Sequence, residues 1–230
     1  DRNFEDMSSV IFDADNDGDN DLYVVSGSNE CPANHPILQD RLYINDGKGI
    51  FKRAAADALP KMFESGQKVL THDFNGDGWM DIVSFGRQIP ENYPRTPKSF
   101  ILLNEKGKFV DATLEISADL SRIGMVTDAI FSDFDDDGDD DLIVVGEWMP
   151  LSILENDKGV FANHTFKFGL DKTVGWWSTI AEYPSTGKKM YIAGNIGANN
   201  KFHPSDLKPL QIYMNDFDEN GSNDIVLAKY

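Results

Sequence analysis

Four short stretches rich in aspartate could bind a metal ion. They are DADNDGDND at 13–21, DFNGDGWMD at 73–81, DFDDDGDDD at 133–141 and DFDENGSND at 216–224, here called acidic loops 1 to 4, and all fit D-x-[DN]-x-[DN]-G-x-x-D. Alternate carboxylates on a tight loop point at one centre, which is stable only when a cation offsets their repulsion. Oxygen ligands in a flexible loop favour calcium over magnesium. The pattern predicts up to four calcium ions.

The position of each residue in its loop predicts its role. Positions one, three, five and nine supply side-chain oxygens, and the glycine at position six permits the sharp turn. Position seven varies in type, which fits a backbone carbonyl ligand. The predicted metal ligands are Asp13, Asp15, Asp17, Asp19, Asp21, Asp73, Asn75, Asp77, Trp79, Asp81, Asp133, Asp135, Asp137, Asp139, Asp141, Asp216, Asp218, Asn220, Ser222 and Asp224.

Two alternatives to such a calcium loop are an EF-hand and a solvated run of charge. An EF-hand loop needs a bidentate Glu at position twelve and flanking helices. Position twelve is here Val24, Ser84, Val144 or Leu227, each within a predicted strand. A solvated acidic run is common, but it does not explain four copies in register, each between two apolar segments.

The net charge of −18 is concentrated in the acidic loops. They hold 19 of the 39 acidic residues and no Lys or Arg, whereas the rest of the chain carries 21 basic and 20 acidic residues. This distribution argues against a nucleic-acid partner, which needs a basic surface. The single cysteine, Cys31, excludes an internal disulfide. No apolar stretch is long enough for a transmembrane segment.

Short predicted strands position these loops. An apolar run precedes each loop and another follows it, and after loops 1 to 3 comes a hairpin pattern: LYINDGKGIFKRA from Leu42, ILLNEKGKFVDAT from Ile101 and SILENDKGVFANHT from Ser152. Each unit then has four strands, A to D, with the acidic loop between strands A and B. Four antiparallel strands in each repeat predict an all-β fold built from propeller blades. The one possible short helix, ADALPKMF at 56–63, contains Pro60.

The predicted units cover residues 8–56, 66–113, 125–166, 174–205 and 210–230. In the fourth unit Glu182, Pro184, Thr186 and Met190 stand at the ligand positions, so we expect no bound ion there. Lys188 and Lys189 are expected to offset nearby negative charge instead. The fifth unit stops after strand B, which predicts a fragment of a larger propeller.

These repeats resemble FG-GAP and VCBS-type repeats, the calcium-loop blades of the integrin alpha-chain propeller, over nearly the whole chain. The segments DLIVVGEWMP, GWW and GNIGANNKF are also similar to bacterial secreted VCBS-repeat proteins, often multidomain surface or periplasmic proteins of Bacteroidetes. The resemblance implies a seven-bladed propeller with the acidic loop between strands A and B. It implies little about the ligand, because the ligands of the family are diverse.

Catalytic motifs are missing from the sequence. The four histidines, His35, His72, His164 and His203, lie in unrelated contexts, and no nucleophile elbow, HExxH or phosphate-binding loop occurs. Aromatic residues stack on sugars and anchor interfaces, and amides hydrogen-bond ligands. The alternative for these residues is packing between blades and a simple connection. The predicted ligand-binding residues are Trp148, Trp176, Trp177, Asn195, Asn199, Asn200 and Lys201.

Taken together, the patterns predict a calcium-stabilised binding or scaffold module for a protein or a glycan. Extracellular calcium modules bind the ion at ~10⁻⁴–10⁻³ M and would be empty in the cytosol, so we expect the periplasm, the cell surface or secretion. One alternative is the propeller domain of a polysaccharide-degrading enzyme whose catalytic residues lie partly outside this chain. Another is a purely structural spacer.

Overall fold

The computed structural model describes residues 2–183, 188–197, 201–205, 207–221 and 223–229. Within these ranges nearly all regular structure is β-strand. The strands are β1 Asp6–Phe12, β2 Asp21–Ser26, β3 Arg41–Asn45, β4 Phe51–Arg53, β5 Ser65–His72, β6 Asp81–Gln88, β7 Phe100–Asn104, β8 Phe109–Asp111, β9 Met125–Ser132, β10 Asp141–Met149, β11 Ser152–Asp157, β12 Val160–Asn163, β13 Gly175–Tyr183, β14 Met190–Asn195, β15 Gln211–Asn215 and β16 Asp224–Ala228.

The first three units each form a propeller-like blade. Strands β1 to β4 and β5 to β8 make two four-stranded antiparallel sheets in sequential order, and β9 to β12 repeat the same pairing. In each blade the acidic loop connects the first strand to the second, and the third and fourth strands form a hairpin. The all-β prediction and the order of strands A to D are therefore confirmed for these units.

The third blade continues into the fourth unit, which the strand pattern did not indicate. Strand β10 is nine residues long, and its end pairs with the start of β13, where Glu147 lies opposite Trp176 and Met149 opposite Gly175. Strand β14 completes a six-stranded sheet in the order β12-β11-β10-β13-β14, with β9 also paired to β10. The register shifts between Glu147 and Met149, so Trp148 lies in a β-bulge.

Hydrophobic cores lie between successive sheets. One cluster joins blades 1 and 2 through residues such as Tyr23, Leu42 and Ile82. A second joins blades 2 and 3, and a third, smaller one joins blade 3 to β13 and β14 around Ile180. The central strands β2, β6 and β10 are buried almost throughout, because a face of each blade is covered by its neighbour.

One buried and one partly buried carboxylate add polar contacts between neighbouring units. Asp40 accepts hydrogen bonds from the Tyr23 hydroxyl (2.7 Å) and, across to blade 2, from the Ser84 hydroxyl (2.9 Å). Asp128 in β9 lies 2.7 Å from the Lys68 ammonium of β5 and accepts a bond from the Ile180 amide of β13. The inner strands of adjacent units are therefore linked by charge as well as by apolar packing.

Helical structure is sparse and lies elsewhere than the sequence indicated. Residues 56–63 form turns and irregular backbone, whereas the α-helix, α1, spans Thr113–Ile116 directly after β8. Short 3₁₀ turns occur at Pro36–Leu38 and Leu120–Arg122. Helix α1 was not predicted because a single turn carries no helical periodicity. No helix in the described ranges is long and apolar enough to span a membrane.

Candidate functional site

The four acidic loops share two left-handed backbone positions. The glycine at position six has a positive φ in every loop, between 85° and 101°. Position four is also left-handed in every loop, occupied by Asn16, Gly76, Asp136 and Glu219 with φ between 57° and 72°. Two left-handed residues in six turn the chain sharply. The prediction for the glycine is confirmed, and the role of position four was missed.

Carboxylates converge in three of the loops. One oxygen from each of three acids lies within 4.8 Å of the other two in the groups Asp13–Asp15–Asp17, Asp133–Asp135–Asp141 and Asp216–Asp218–Asp224. A buried oxygen of Asp15 and one of Asp139 have no hydrogen-bond partner in the described structure. Burial, followed by the charge of Asp17, raises the pKa of Asp15. Repelling carboxylates with unpaired oxygens fit a hard divalent cation.

Loop 2 holds fewer acids, and its carboxylates converge less. The Asn75 side chain stands at position three and donates a hydrogen bond to Asp77 (3.0 Å). Asp77 also accepts a bond from the Trp79 amide (2.8 Å), an arrangement that Asp17 and Asp137 repeat with position seven of their own loops. The position-five carboxylate thus fixes position seven.

The aspartate at position nine ties the loop to the rest of its blade. Asp21, Asp81 and Asp141 are almost fully buried. One oxygen of each accepts the amide of position two, and the other accepts the amide of an asparagine in the third strand, at 2.7–2.8 Å. Burial raises the pKa of Asp81 to about 6, with Asp73 and Asp77 adding repulsion and the two amides opposing the shift. These three aspartates are predicted ligands, and the structure gives them a second role inside the blade.

The asparagine of the third strand completes this network, and sequence reasoning missed it. Asn45, Asn104 and Asn156 each donate a side-chain hydrogen bond to the carbonyl at position eight of their loop. Each accepts a bond from a hairpin glycine amide, at 2.8–3.2 Å. Asn104 also reaches the Ala14 carbonyl of blade 1 (2.9 Å). The signal was available, because all three asparagines occupy the same place in the aligned hairpins.

The altered fourth unit places a lysine against loop 3. The Lys189 ammonium lies 3.1 Å from Asp133 and 2.9 Å from Asp136, so the predicted charge offset is confirmed for this lysine. The hydrogen bond to Asp136, followed by the bond to Asp133 and the charges of both, raises the pKa of Lys189 despite its partial desolvation. Glu182 accepts a bond from the Ser132 hydroxyl (2.7 Å). Pro184 and Thr186 lie outside the described residues.

An aromatic cleft opens where β10 meets β13. Its volume is about 330 Å³, and its walls include Trp148, Trp176, Ile196, Phe202 and Leu210. The rings of Trp148 and Trp176 meet edge to face, with centroids 5.0 Å apart. Trp148 has φ of 58°, which is unusual for a bulky residue. The bulge in β10 therefore turns this indole into the cleft, as bulges at binding sites commonly do.

A polar network supports the cleft from behind. The Trp148 indole N–H donates to the Tyr93 hydroxyl (2.6 Å), which donates to Glu147 (2.9 Å). Arg87 donates to the other Glu147 oxygen (2.7 Å). Burial, together with the charge of Glu147, raises the pKa of Tyr93 to about 12. The phenol consequently stays protonated and holds the Trp148 ring in place.

The other predicted ligand-binding residues lie in different settings. Trp177 packs with the third core cluster and donates to the Thr173 carbonyl (2.9 Å). Asn195 accepts a bond from the Gly197 amide (2.7 Å), and the Lys201 ammonium lies 5.2 Å from the Phe202 ring centroid. Asn199, Asn200 and the predicted metal ligand Ser222 lie outside the described residues.

The fold and the loops define a class: an all-β protein of propeller-like blades with an acidic loop in each. Residues 13–84 match the family model of the FG-GAP-like repeat, which confirms the resemblance from acidic loop 1 to the first half of β6. A comparison with curated proteins gives no match. Among solved structures, the chain is similar to one described as the basis of recognition of non-reducing terminal N-acetylglucosamine by an Agrocybe aegerita lectin, with a TM-score of 0.43 and 18% identity. The match covers 82% of this chain and 43% of that one, so the chain spans less than half its length.

Proposed function

We propose that this protein is a calcium-stabilised binding module that acts outside the cytoplasm and recognises a carbohydrate or protein ligand. The aromatic cleft carries the proposal of ligand binding, and the acidic loops carry the proposal of calcium. FG-GAP-like repeats over residues 13–84 agree with a module of this kind.

Calcium is supported by the charge of the loops and by their geometry. Positions one, three, five and nine would supply the carboxylate and amide oxygens, and the unpaired oxygens of Asp15 and Asp139 would gain a partner. The ion would neutralise Asp15 and Asp139, whose pKa values are raised by burial and then by the repulsion of neighbouring carboxylates. Its role would be structural, because each loop joins two paired strands, and loops 1 to 3 end at a buried aspartate.

The location follows from the expected affinity. Calcium loops of extracellular modules have dissociation constants of ~10⁻⁴–10⁻³ M. Free calcium reaches such concentrations outside the cell and not in the cytosol. We therefore propose a periplasmic, cell-surface or secreted location. Calorimetry that gave sub-micromolar affinity at every loop would remove the reason for this assignment.

The shape of the cleft favours a ligand with an apolar face and hydroxyl groups. Two indoles and the Phe202 ring provide stacking surfaces, and the Trp176 indole N–H is buried without a partner among the described residues. A volume near 330 Å³ is at the lower end of small-molecule sites, about the size of one or two sugar rings. A sugar could stack with its apolar face on one of these rings.

Catalysis is less well supported than binding. Glycoside hydrolysis requires two carboxyl groups on either side of the scissile bond. The described residues that line the cleft include neither a carboxylate nor an imidazole, and Glu147 is held behind it by Arg87 and Tyr93. The cleft therefore favours a ligand that is bound and released unchanged.

A glycan array with the wild-type protein tests the proposal, followed by the same array with Trp176→Ala. We expect loss of at least tenfold in affinity for any glycan bound, since stacked aromatics dominate such sites. Phe166→Ala is the matched control, because Phe166 is an aromatic residue that is 81% exposed and away from the cleft. It should leave binding unchanged.

Three results would contradict the carbohydrate proposal in different ways. Turnover in a hydrolase and lyase screen would indicate an enzyme. Binding to a peptide library, lost in Trp176→Ala, would indicate a protein ligand. Silence in all three screens would leave a structural spacer as the better description.

A further inference from the structure

Lys189 touches loop 3 in a way that distinguishes this loop from loops 1 and 2. The residue directly precedes β14 and belongs to the fourth unit. Its ammonium group contacts the carboxylates at positions one and four of loop 3, Asp133 and Asp136, and also donates a hydrogen bond to the Asp133 carbonyl. The side chains of Lys189 and Asp133 are both 28% exposed, so the pair is partly shielded from water.

Loops 1 and 2 meet a glycine of the next blade at a comparable place. A Cβ on Gly107 of blade 2 would lie 3.5 Å from the Asp15 side chain of loop 1. A Cβ on Gly159 of blade 3 would lie 2.7 Å from the Phe74 carbonyl of loop 2. The next unit thus brings an uncharged hairpin glycine to loops 1 and 2, and a cationic side chain to loop 3.

The first carboxylate of each loop also has different partners. Asp13 accepts hydrogen bonds from the amides of Asp17 (3.2 Å) and Gly18 (3.0 Å), and no lysine contacts it among the described residues. Asp133 accepts the Asp137 amide (3.1 Å) but also faces the Lys189 ammonium. A calcium ion bound by Asp133 would lie about 2.4 Å from the same carboxylate. The two cations would repel each other at close range.

We propose that Lys189 is a built-in cation for loop 3: it stabilises this loop without metal, and it weakens calcium binding there. Loop 3 is then the weakest of the loops in blades 1 to 3, although it contains seven acidic residues. A unit charge about 4–5 Å from a divalent ion lowers its affinity by more than tenfold even at the dielectric constant of water. This inference rests on the proposed binding of calcium by the acidic loops.

The test compares Lys189→Met with Lys188→Met. Lys188 is the adjacent, exposed lysine, so the two variants change the net charge equally. In EDTA, Lys189→Met should melt about 2 °C or more below Lys188→Met, because two ion pairs are lost. In calcium titrations by calorimetry, Lys189→Met should gain about tenfold in affinity at one site. Asp135→Ala in the same background should abolish that site and so assign it to loop 3.

Lys189→Arg keeps the charge and guards against a general loss of folding. It should melt close to wild type in EDTA and keep the weak site. Equal melting of the two methionine variants in EDTA, or a loop 3 affinity unchanged by Lys189→Met, would overturn the inference. A protein that binds no calcium at any loop would overturn the proposed function, whereas binding at loop 1 with loop 3 unaffected would overturn this inference alone.

Discussion

Blades 1 to 3 and the fifth unit carry the same acidic loop but differ in what surrounds it. In the blades, the position-nine aspartate is buried and receives two backbone amides, one of them from the third strand. In the fifth unit, Asp224 is only partly buried and receives the Phe217 amide at 3.1 Å. The apolar residues of β16, Ile225 to Leu227, are 40–47% exposed, whereas those of β2, β6 and β10 are almost all buried. The loop sequence specifies a turn. The third strand then supplies the second amide and the packing that bury the position-nine aspartate inside a blade.

Removal of calcium is expected to have the largest effect, in both regions. At ~1 mM calcium and a dissociation constant of ~10⁻⁴ M, a site contributes ~1.4 kcal/mol to the free energy of unfolding. With loop 3 weakened about tenfold by Lys189, the four sites together contribute about 5 kcal/mol. The total for a domain is ~5–15 kcal/mol, so EDTA should lower the melting temperature by many degrees. Superimposable melts with and without EDTA at moderate salt would show that calcium does not stabilise either region.

Substitution of the position-nine aspartate should separate the two regions. Asp81→Ala leaves the buried amides of Phe74 and Asn104 without an acceptor, and should cost about 3 kcal/mol. Asp224→Ala removes one exposed acceptor and should cost about 1 kcal/mol or less. Guanidinium denaturation in calcium-free buffer measures both. Equal losses would mean that the buried network adds nothing to the blade.

The third-strand asparagine should show a smaller, graded effect. Asn104→Ala removes three side-chain hydrogen bonds, including the one to Ala14 of blade 1, and should cost about 2 kcal/mol. Asn45→Ala removes only two side-chain hydrogen bonds, to the Asn20 carbonyl and from the Gly49 amide. Both are exposed to solvent, so the substitution should cost about 1 kcal/mol. The same denaturation series ranks them, and the reverse order would contradict the role given to the contact between blades.

The pH dependence of the blade 1–blade 2 contact should be small within any one pH unit and spread over about two units. Burial raises the pKa of Asp40 from 3.8 to about 6, against hydrogen bonds that favour the charged form. Because the folded protein holds this proton more tightly than the unfolded chain, the stabilisation is fully present below about pH 4. It is lost as the pH rises through 6, by about 1 kcal/mol per pH unit in that window. Asp40→Asn should remove this slope, measured in EDTA from pH 4 to 7. An unchanged slope would assign it to other carboxylates.

The amino-acid sequence by itself determined the local units of the fold. The D-x-[DN]-x-[DN]-G-x-x-D repeats located the four turns, and alternating apolar segments located strands A to D of the first three units. Both signals are local, because the left-handed conformation of a glycine and the alternation of apolar and polar residues along a strand depend only on residues close in sequence. A lysine in the altered fourth unit, Lys189, was also predicted to offset acidic charge, although the sequence did not specify its partners in loop 3.

Only the tertiary structure decided how these units meet. The pairing of β10 with β13, and the bulge that turns Trp148 into the cleft, depend on contacts between residues about 30 positions apart in the chain. Trp176 and Trp177 are separated because neighbouring residues of a strand point to opposite faces. The burial of Asp21, Asp81 and Asp141 depends on the third strand, which supplies the second amide. A sequence pattern shows which residue types are present. Hydrogen bonds and packing between blades depend on which residues become neighbours in space, and only the folded structure determines that.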